Sequence, residues 1–266
     1  MIRRPIQQKT RIALGLLSIL AMALCYSWIS HRQHQANAKD TTIPSWGQLK
    51  EGIVKAVEPN HRSGERWLLV DAKATGYRLG LGLFYGITGS LLVGILMGCF
   101  PKIEAFLYPP LSFFAKIPPT AAVAVFMVMA GLDTSMYVSM IAFGILPTMA
   151  IAIYLTVKSF PDELQFKAYT LGASHAEVIW TIIFKYVLPK LIETTRLMIG
   201  PAMVYLIAAE MVFGDVGFGY RIRLQSKLLD MSVVYPYLAF LAVFGYLMDY
   251  TLRRIELWLC PWHQQH

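Results

Sequence analysis

Two carboxylates, Glu210 and Asp249, stand inside long apolar runs of the chain. Ionisable groups in such places are expensive and mark solute or proton routes. One chemistry they could serve is proton-coupled transport, with both residues as proton carriers. Glu210 lies just before the Gly-rich run Gly214-Asp215-Val216-Gly217-Phe218-Gly219-Tyr220, which places it near an interface rather than at mid-bilayer depth. The other reactive residues point to less. Cys25, Cys99 and Cys260 are far apart, form no Cys-x-x-Cys, and read as inert thiols in or beside apolar stretches. His31, His34 and His61 fall in a polar stretch, and His263 and His266 at the tail, where solvation is the simpler reading than metal binding.

Several chemistries are excluded by motif. No glycine is followed by lysine, so there is no phosphate-binding Gly-x4-Gly-Lys-Ser/Thr loop and this chain does not itself bind ATP that way. There is no His-Glu-x2-His and no Gly-x-Ser-x-Gly, and no nucleophile–base set. The chain therefore reads as no enzyme, with no cofactor and no metal.

The elements that must position these residues are apolar. Of 266 residues 56% are hydrophobic and only 15% charged, against about 25% charged in soluble domains. Lipid is the solvent that fits such a surface. The net charge of +8 suits basic loops on the cytoplasmic side of a membrane better than nucleic acid, for which no basic and aromatic module is present.

Along the chain, Arg3, Arg4, Lys9 and Arg11 precede an apolar run from Ile12 to Ile29, about the length that spans a bilayer. A cleaved signal peptide ending near Ala36-Asn37-Ala38 is the alternative. The run is long for a signal core and a polar stretch separates it from that site, so a retained helix with its N-terminus inside is favoured. A polar segment follows, with a short amphipathic helix expected over Trp46–Val57, capped by Ser45.

Further spans are expected at about 76–100, 119–132, 136–157, 191–213 and 233–252. Gly82, Gly86, Ser90, Gly94 and Gly98 recur at i+4 and form one ridge without bulk, which lets another helix approach closely. Pro109-Pro110 and Pro118-Pro119 break the apolar region before the third span, whose start is unclear, and Pro147 is a kink site in the fourth. The fold class is thus all-α and integral to the membrane, with about six transmembrane helices. The chain divides into an N-terminal helix (1–30), an external segment (31–75), the main transmembrane domain (76–256) and a tail (257–266), with both termini inside. Lys158, Lys167, Lys185, Lys190, Arg253 and Arg254 agree with that orientation, whereas Arg221, Arg223 and Lys227 in an external loop weaken the bias.

Between the fourth and fifth spans, 161–189 reads as a helix starting at Asp162 and Glu163, a break at Gly172, and a second helix stopped near Pro189. This segment resembles the cytoplasmic loop of binding-protein-dependent ABC importer permeases, Glu-Ala-Ala, three residues, Gly, nine residues, then an apolar residue-x-Leu-Pro. Ala168 and Gly172 match the second alanine and the glycine, while Leu171, Ala173 and Ser174 match a common Leu-Gly-Ala-Ser core. Ile182 takes the apolar position and Pro189 a second proline that many members carry. Phe166 and Lys167 stand where the family has Glu and the first Ala, and Phe184-Lys185 replaces Leu-Pro. Ile117-Pro118-Pro119 with Ala121 and Gly131, and Ala209-Glu210-Met211 followed by Gly217-Phe218-Gly219-Tyr220, resemble the nitrate/sulfonate/taurine/bicarbonate branch.

The resemblance implies a type I importer permease in the bacterial cytoplasmic (inner) membrane, surrounded by lipid and paired with a second copy. It implies a loop that docks an ATP-binding subunit and a periplasmic solute-binding protein that meets 31–74 and 214–232. It also implies a small solute, an oxyanion, a sulfonate or a related small organic molecule. Glu210, Gly217 and Gly219 are then pathway or gate residues, with a turn-shaping role equally open for the glycines.

Overall fold

The computed structural model describes residues 7–37, 40–59 and 64–262; the sequence readings at Arg3, Arg4, Ala38, His61, His263 and His266 fall outside them. The described residues form helices with one isolated β-bridge, between Pro59 and Arg66. They divide into two units, one from 1–68 and 222–238, the other from 69–221 and 239–266.

The first unit holds α1 (Gln8–Ala36) and α2 (Trp46–Val57). α1 exposes Ile12, Leu16, Leu20 and Met22 on all sides, as a helix facing lipid does. Tyr26 donates to the Pro44 carbonyl at 2.6 Å and Trp46 to the Ser27 hydroxyl at 2.9 Å, which ties the end of α1 to the start of α2. α2 has the bounds its pattern predicts, and Ser45 with Gln48 forms a reciprocal cap. Within the same unit, Gly52 leaves no room for a Cβ against the Ser232 backbone, and Lys55 pairs with Asp230 at 2.7 Å. Burial opposes ionisation of Asp230, but hydrogen bonds from Lys55 and Ser232 outweigh it and hold the carboxyl below its usual range. The support this gives is present above about pH 3.9, the ordinary Asp value. It is lost as pH falls below that through the lower folded value.

The second unit is organised around α6 (Thr134–Lys158), whose Met136, Met140, Ile141, Ile145, Met149 and Ile153 are all fully buried. The glycine ridge of α3 (Trp67–Cys99) lies on it. A Cβ at Gly82 would fall 2.6 Å from Ile141, and one at Gly94 2.7 Å from Ile153; Gly86 meets Ile145 and Gly98 meets Val157 in the same way. The constant offset along these pairs makes α3 and α6 parallel. Chain order therefore requires residues 100–133 to return across the whole length of the pair.

They return as α4 (Pro101–Phe114), a turn through Pro118-Pro119, and α5 (Val123–Ala130). The region of the expected third span is thus divided between two short helices. Among the described residues, five helices are long and apolar enough to cross a membrane, and neither α4 nor α5 is among them. Pro109 and Pro110, expected to break the run, lie inside α4. Each proline removes one donor, and in lipid-embedded helices that loss is met by neighbours.

After α6 come α7 (Asp162–Thr170), α8 (His175–Glu177), a π-helical turn (Val178–Ile183) and α9 (Phe184–Phe213), then α10 (Phe218–Lys227) and α11 (Met231–Leu259). α9 runs antiparallel to α6: Phe160 meets the Tyr186 ring edge-to-face, while a Cβ at Gly144 would meet the Tyr205 ring. α11 runs antiparallel to α9, with Asp249 bonded to Arg196 and Gly245 facing Met203. Both helices extend beyond their expected bounds, and the expected tail from 257 begins within α11.

Candidate functional site

Residues 161–183 form a helix stop followed at once by a helix start. Gly172, at φ +84°, takes the left-handed conformation that a residue with a Cβ resists. The Gly172 N–H bonds the Tyr169 carbonyl at 2.9 Å, and the Ala173 N–H reaches the Ala168 carbonyl at 3.1 Å. These two bonds are the paired C-terminal cap of a Schellman motif. Ser174 then caps α8: its hydroxyl accepts from the Glu177 N–H, and the Glu177 carboxylate accepts from the Ser174 N–H at 2.8 Å. Tyr169 and His175 brace the turn, hydroxyl to Nδ1, at 2.8 Å. The seven residues from Ala168 to Ser174 thus end one helix and begin another.

The turn anchors one side and presents the other. Ala168 is buried, and Ala173 packs on the core. Leu171 is 88% exposed and Phe166 67%, so the apex and outer face of the loop carry apolar side chains without cover from this chain. A cleft of about 370 Å³ lies beneath, bounded by Cys99, Lys158, Gln165, Tyr169, His175 and Ile179. Ile182 sits in the π turn, half-buried. Pro189 does not stop the second helix as its sequence suggests: it lies buried inside α9, which runs on unbroken through it to Phe213. Packing in the core holds the helix across the N–H bond that Pro189 lacks.

No Cβ at Gly172 would touch another atom within 4 Å. The cost of Gly172→Val is therefore conformational, about 1–2 kcal/mol. Limited proteolysis should show faster cleavage within 162–183, with the long helices protected as before.

The other end of the same unit holds a buried polar cluster. Glu210 is fully buried; it accepts from Thr75 at 3.0 Å, Arg78 Nη1 at 2.9 Å and the Gly219 N–H at 2.9 Å. Asp71, also fully buried, accepts from Arg221 Nε at 2.9 Å and the Gly217 N–H at 3.1 Å. The Phe218 N–H donates to Thr75 Oγ1 at 3.0 Å, and Arg78 donates to the Val216 carbonyl at 2.8 Å while lying 4.1 Å above the Tyr137 ring. Two carboxylates and a hydroxyl thus take successive backbone N–H groups at the start of α10, where helix donors lack partners and the dipole favours negative charge. Arg78 pairs with Glu210 and Arg221 with Asp71, and Arg78 also reaches the exposed Asp215 at 3.6 Å.

Gly217 and Gly219 have a shaping role in this cluster. A Cβ at Gly217, at φ +120°, would fall 2.6 Å from the Glu210 carboxyl carbon, and one at Gly219 2.6 Å from Glu210 Cβ. Glu210 is enclosed by protein on every side. The expected external loop is in part the helix α10, and Arg221 is an internal ion-pair partner rather than a free external cation.

Asp71, Thr75 and Arg78 were hidden in sequence. The stretch before Gly76 reads as polar and external, whereas α3 begins at Trp67 and buries its first turns. The available signal was charge: Arg78 is the single charge of the run 76–100, and Glu210 is the single charge between Leu197 and Phe213. Arg196 was missed in the same way; it pairs with Asp249 at 2.9 Å and Glu256 at 3.4 Å.

Residues 90–259 match the family model described as "Binding-protein-dependent transport system inner membrane component". The taurine transport system permease protein of Escherichia coli (strain K12) is 25% identical over 98% of this chain and 93% of its own length. A putative aliphatic sulfonates transport permease protein of Bacillus subtilis (strain 168) is 27% identical over 71% of this chain and 69% of its own length. Among solved structures, a chain of the MetNI methionine ABC transporter in an inward-facing conformation superposes with a TM-score of 0.63 at 18% identity, covering 73% of this chain and 96% of that one. The alternative of a secondary transporter with Glu210 and Asp249 as proton carriers is overturned: these relatives are permeases of binding-protein-dependent systems, and both carboxylates are engaged by arginines.

Proposed function

The chain belongs to the binding-protein-dependent transport system inner membrane components, and we propose that it docks a separate ATP-binding subunit through the turn at Ala168–Ser174. It is the transmembrane permease of an ATP-driven importer, a multi-pass helical protein of the inner membrane. The observation that carries the docking assignment is the capped turn itself, which fixes Leu171 at 88% exposure. A rigid apolar apex outside the long helices suits a groove on a partner. Ile182 and the π turn connect that apex to α9, so displacement of the loop is transmitted to the pathway helices as a bias between two arrangements. Pro189 belongs to α9 in this account.

In the same proposal the loop end is cytoplasmic and both termini lie inside. The broken α4–α5 segment completes a sixth crossing, and α1 is retained as a lipid-facing span. Two copies pair, and a periplasmic solute-binding protein delivers cargo at the opposite end, where Asp71, Arg78 and Glu210 lock the α9–α10 turn. The names of the relatives support a small solute bearing a sulfonate-like group.

Cross-linking tests the docking assignment. Leu171→Cys in the intact transporter, treated with a short bifunctional thiol reagent, should couple to a cysteine placed on the ATPase subunit. Cysteine at Tyr246, on α11 away from the loop, should not. Equal yields from both positions, or none from Leu171→Cys in an assembled complex, overturn it.

A further inference from the structure

The break between α4 and α5 lies against the middle of α6. A Cβ at Gly144 would fall 2.9 Å from the Pro119 ring. Along α6, Gly144 is roughly 15 Å from Thr134 and 21 Å from Lys158, at 1.5 Å per residue. Charge marks those two ends, Asp133 at one and the Lys158–Glu104 pair at the other, with no acidic or basic residue of α6 between them. The backbone of the break is irregular. Pro118 and Pro119 have no N–H, and among the described residues the Ala115, Lys116 and Ile117 carbonyls accept no backbone hydrogen bond. Such backbone is tolerated at membrane depth only where protein buries it or where it lines a water-filled cavity. In transporters, helices interrupted near the midplane are where solutes bind.

A cavity of about 290 Å³ opens at this break, and Lys116, Thr148 of α6 and Tyr205 of α9 line it. Lys116 and Thr148 are exposed and Tyr205 is half-buried. Among the described residues, nothing bonds the Lys116 ammonium or the Thr148 and Tyr205 hydroxyls. An ammonium at mid-depth is costly and faces either a partner or water. From the middle of α6 its stem is too short to carry the charge to either end of the span. No carboxylate of the long helices is free to pair with it. Every Asp and Glu of α3, α4, α9 and α11 already faces an arginine or a lysine, and α5 and α6 contain none. A second copy of the chain brings the same paired set.

We infer that the α4–α5 break is a mid-membrane station for the cargo, with Lys116 as the residue that takes its anionic oxo group. The Thr148 and Tyr205 hydroxyls can each donate to a further oxygen of that group, and the ammonium has three donors and no acceptor. The inference rests on the importer reading and gives the proposed solute its contact residues inside the membrane.

The test reads water and charge at the station without needing the identity of the cargo. It uses the permease–ATPase complex in lipid nanodiscs, with Cys25→Ala, Cys99→Ala and Cys260→Ala in place, and labels Thr148→Cys during ATP turnover. The probes are 2-sulfonatoethyl methanethiosulfonate, which carries a sulfonate, and its trimethylammonium counterpart. The sulfonate reagent should react. The ratio of its rate to that of the cationic reagent should fall at least about tenfold on adding Lys116→Gln, because loss of one nearby charge moves the two rates in opposite directions. Lys116→Arg, which keeps the charge, should keep the ratio. Ala115→Cys, on the break itself, is a second reporter should Thr148→Cys disturb α6. Absence of reaction with both reagents at both positions overturns the inference, as does a ratio that Lys116→Gln leaves unchanged. Copurification of the ATP-binding subunit with the unsubstituted chain is scored separately, and its failure would overturn the importer reading instead.

Discussion

Replacing Glu210 by alanine should lower the stability of the folded chain by about 3–5 kcal/mol, the usual result of stripping one partner from a buried ion pair. The substitution takes from Arg78, which is 8% exposed, its buried carboxylate, leaving it the Val216 carbonyl and the exposed Asp215 at 3.6 Å, and it removes the acceptor of the Thr75 hydroxyl and the Gly219 N–H. None of these can turn to water without opening the contact between α3 and α9. Membrane-extracted protein should show a matching fall in its thermal midpoint and increased cleavage at 214–220. Glu210→Ala combined with Arg78→Met should lose less than the sum of the single changes, because no charge is then left alone. Full additivity would mean that the two side chains do not act as a pair. A proton-carrying Glu210 would give a different result, with uptake lost and stability kept.

The second large effect is at the helix ridge. Gly86→Leu should cost about 3 kcal/mol, since side chains forced into a packed contact displace backbone. Ile145 and the Ala142 backbone already occupy the space that a Cβ would need. Gly80 lies on the same helix with nothing within 4 Å of its Cβ position, so Gly80→Leu should leave stability unchanged. Thermal unfolding of the two variants side by side checks this, and equal behaviour would remove the close contact of α3 with α6.

That ridge was legible in the sequence because a helix repeats its faces locally, and small residues at i+4 leave a readable trace. The Ser45 cap of α2 and the bend at Gly172 were legible for the same reason: each depends on a few adjacent residues. The polar cluster was not. Asp71 is buried only because Arg221 and the Gly217 N–H arrive from far along the chain, so its own neighbourhood reads as an exposed polar stretch. The same holds for α10, whose start depends on acceptors supplied by α3 and α9, and which therefore reads as a loop. Pro189 misled in the other direction. A local helix-breaking signal was overridden by packing around α9.

The loop at 161–183 was partly legible. Its turn residues and spacing were visible, and the departures at Phe166 and Lys167 stood out against the resemblance. What sequence could not supply was that Phe166 and Leu171 remain uncovered while Ala168 and Ala173 are held by the core. A docking element needs both features. It must be fixed to the body that it moves and bare toward the partner that drives it.

The central claim is that this chain receives its energy through the capped turn, and Leu171→Asp tests it most directly. The side chain is 88% exposed, so the change should leave stability and membrane insertion as they were. Solute uptake by the whole transporter and copurification of its ATP-binding subunit should be measured together on this variant. The account predicts that both fall at least about tenfold, as expected when a charge replaces an apolar anchor at an interface. Normal uptake with a fully assembled complex would contradict it.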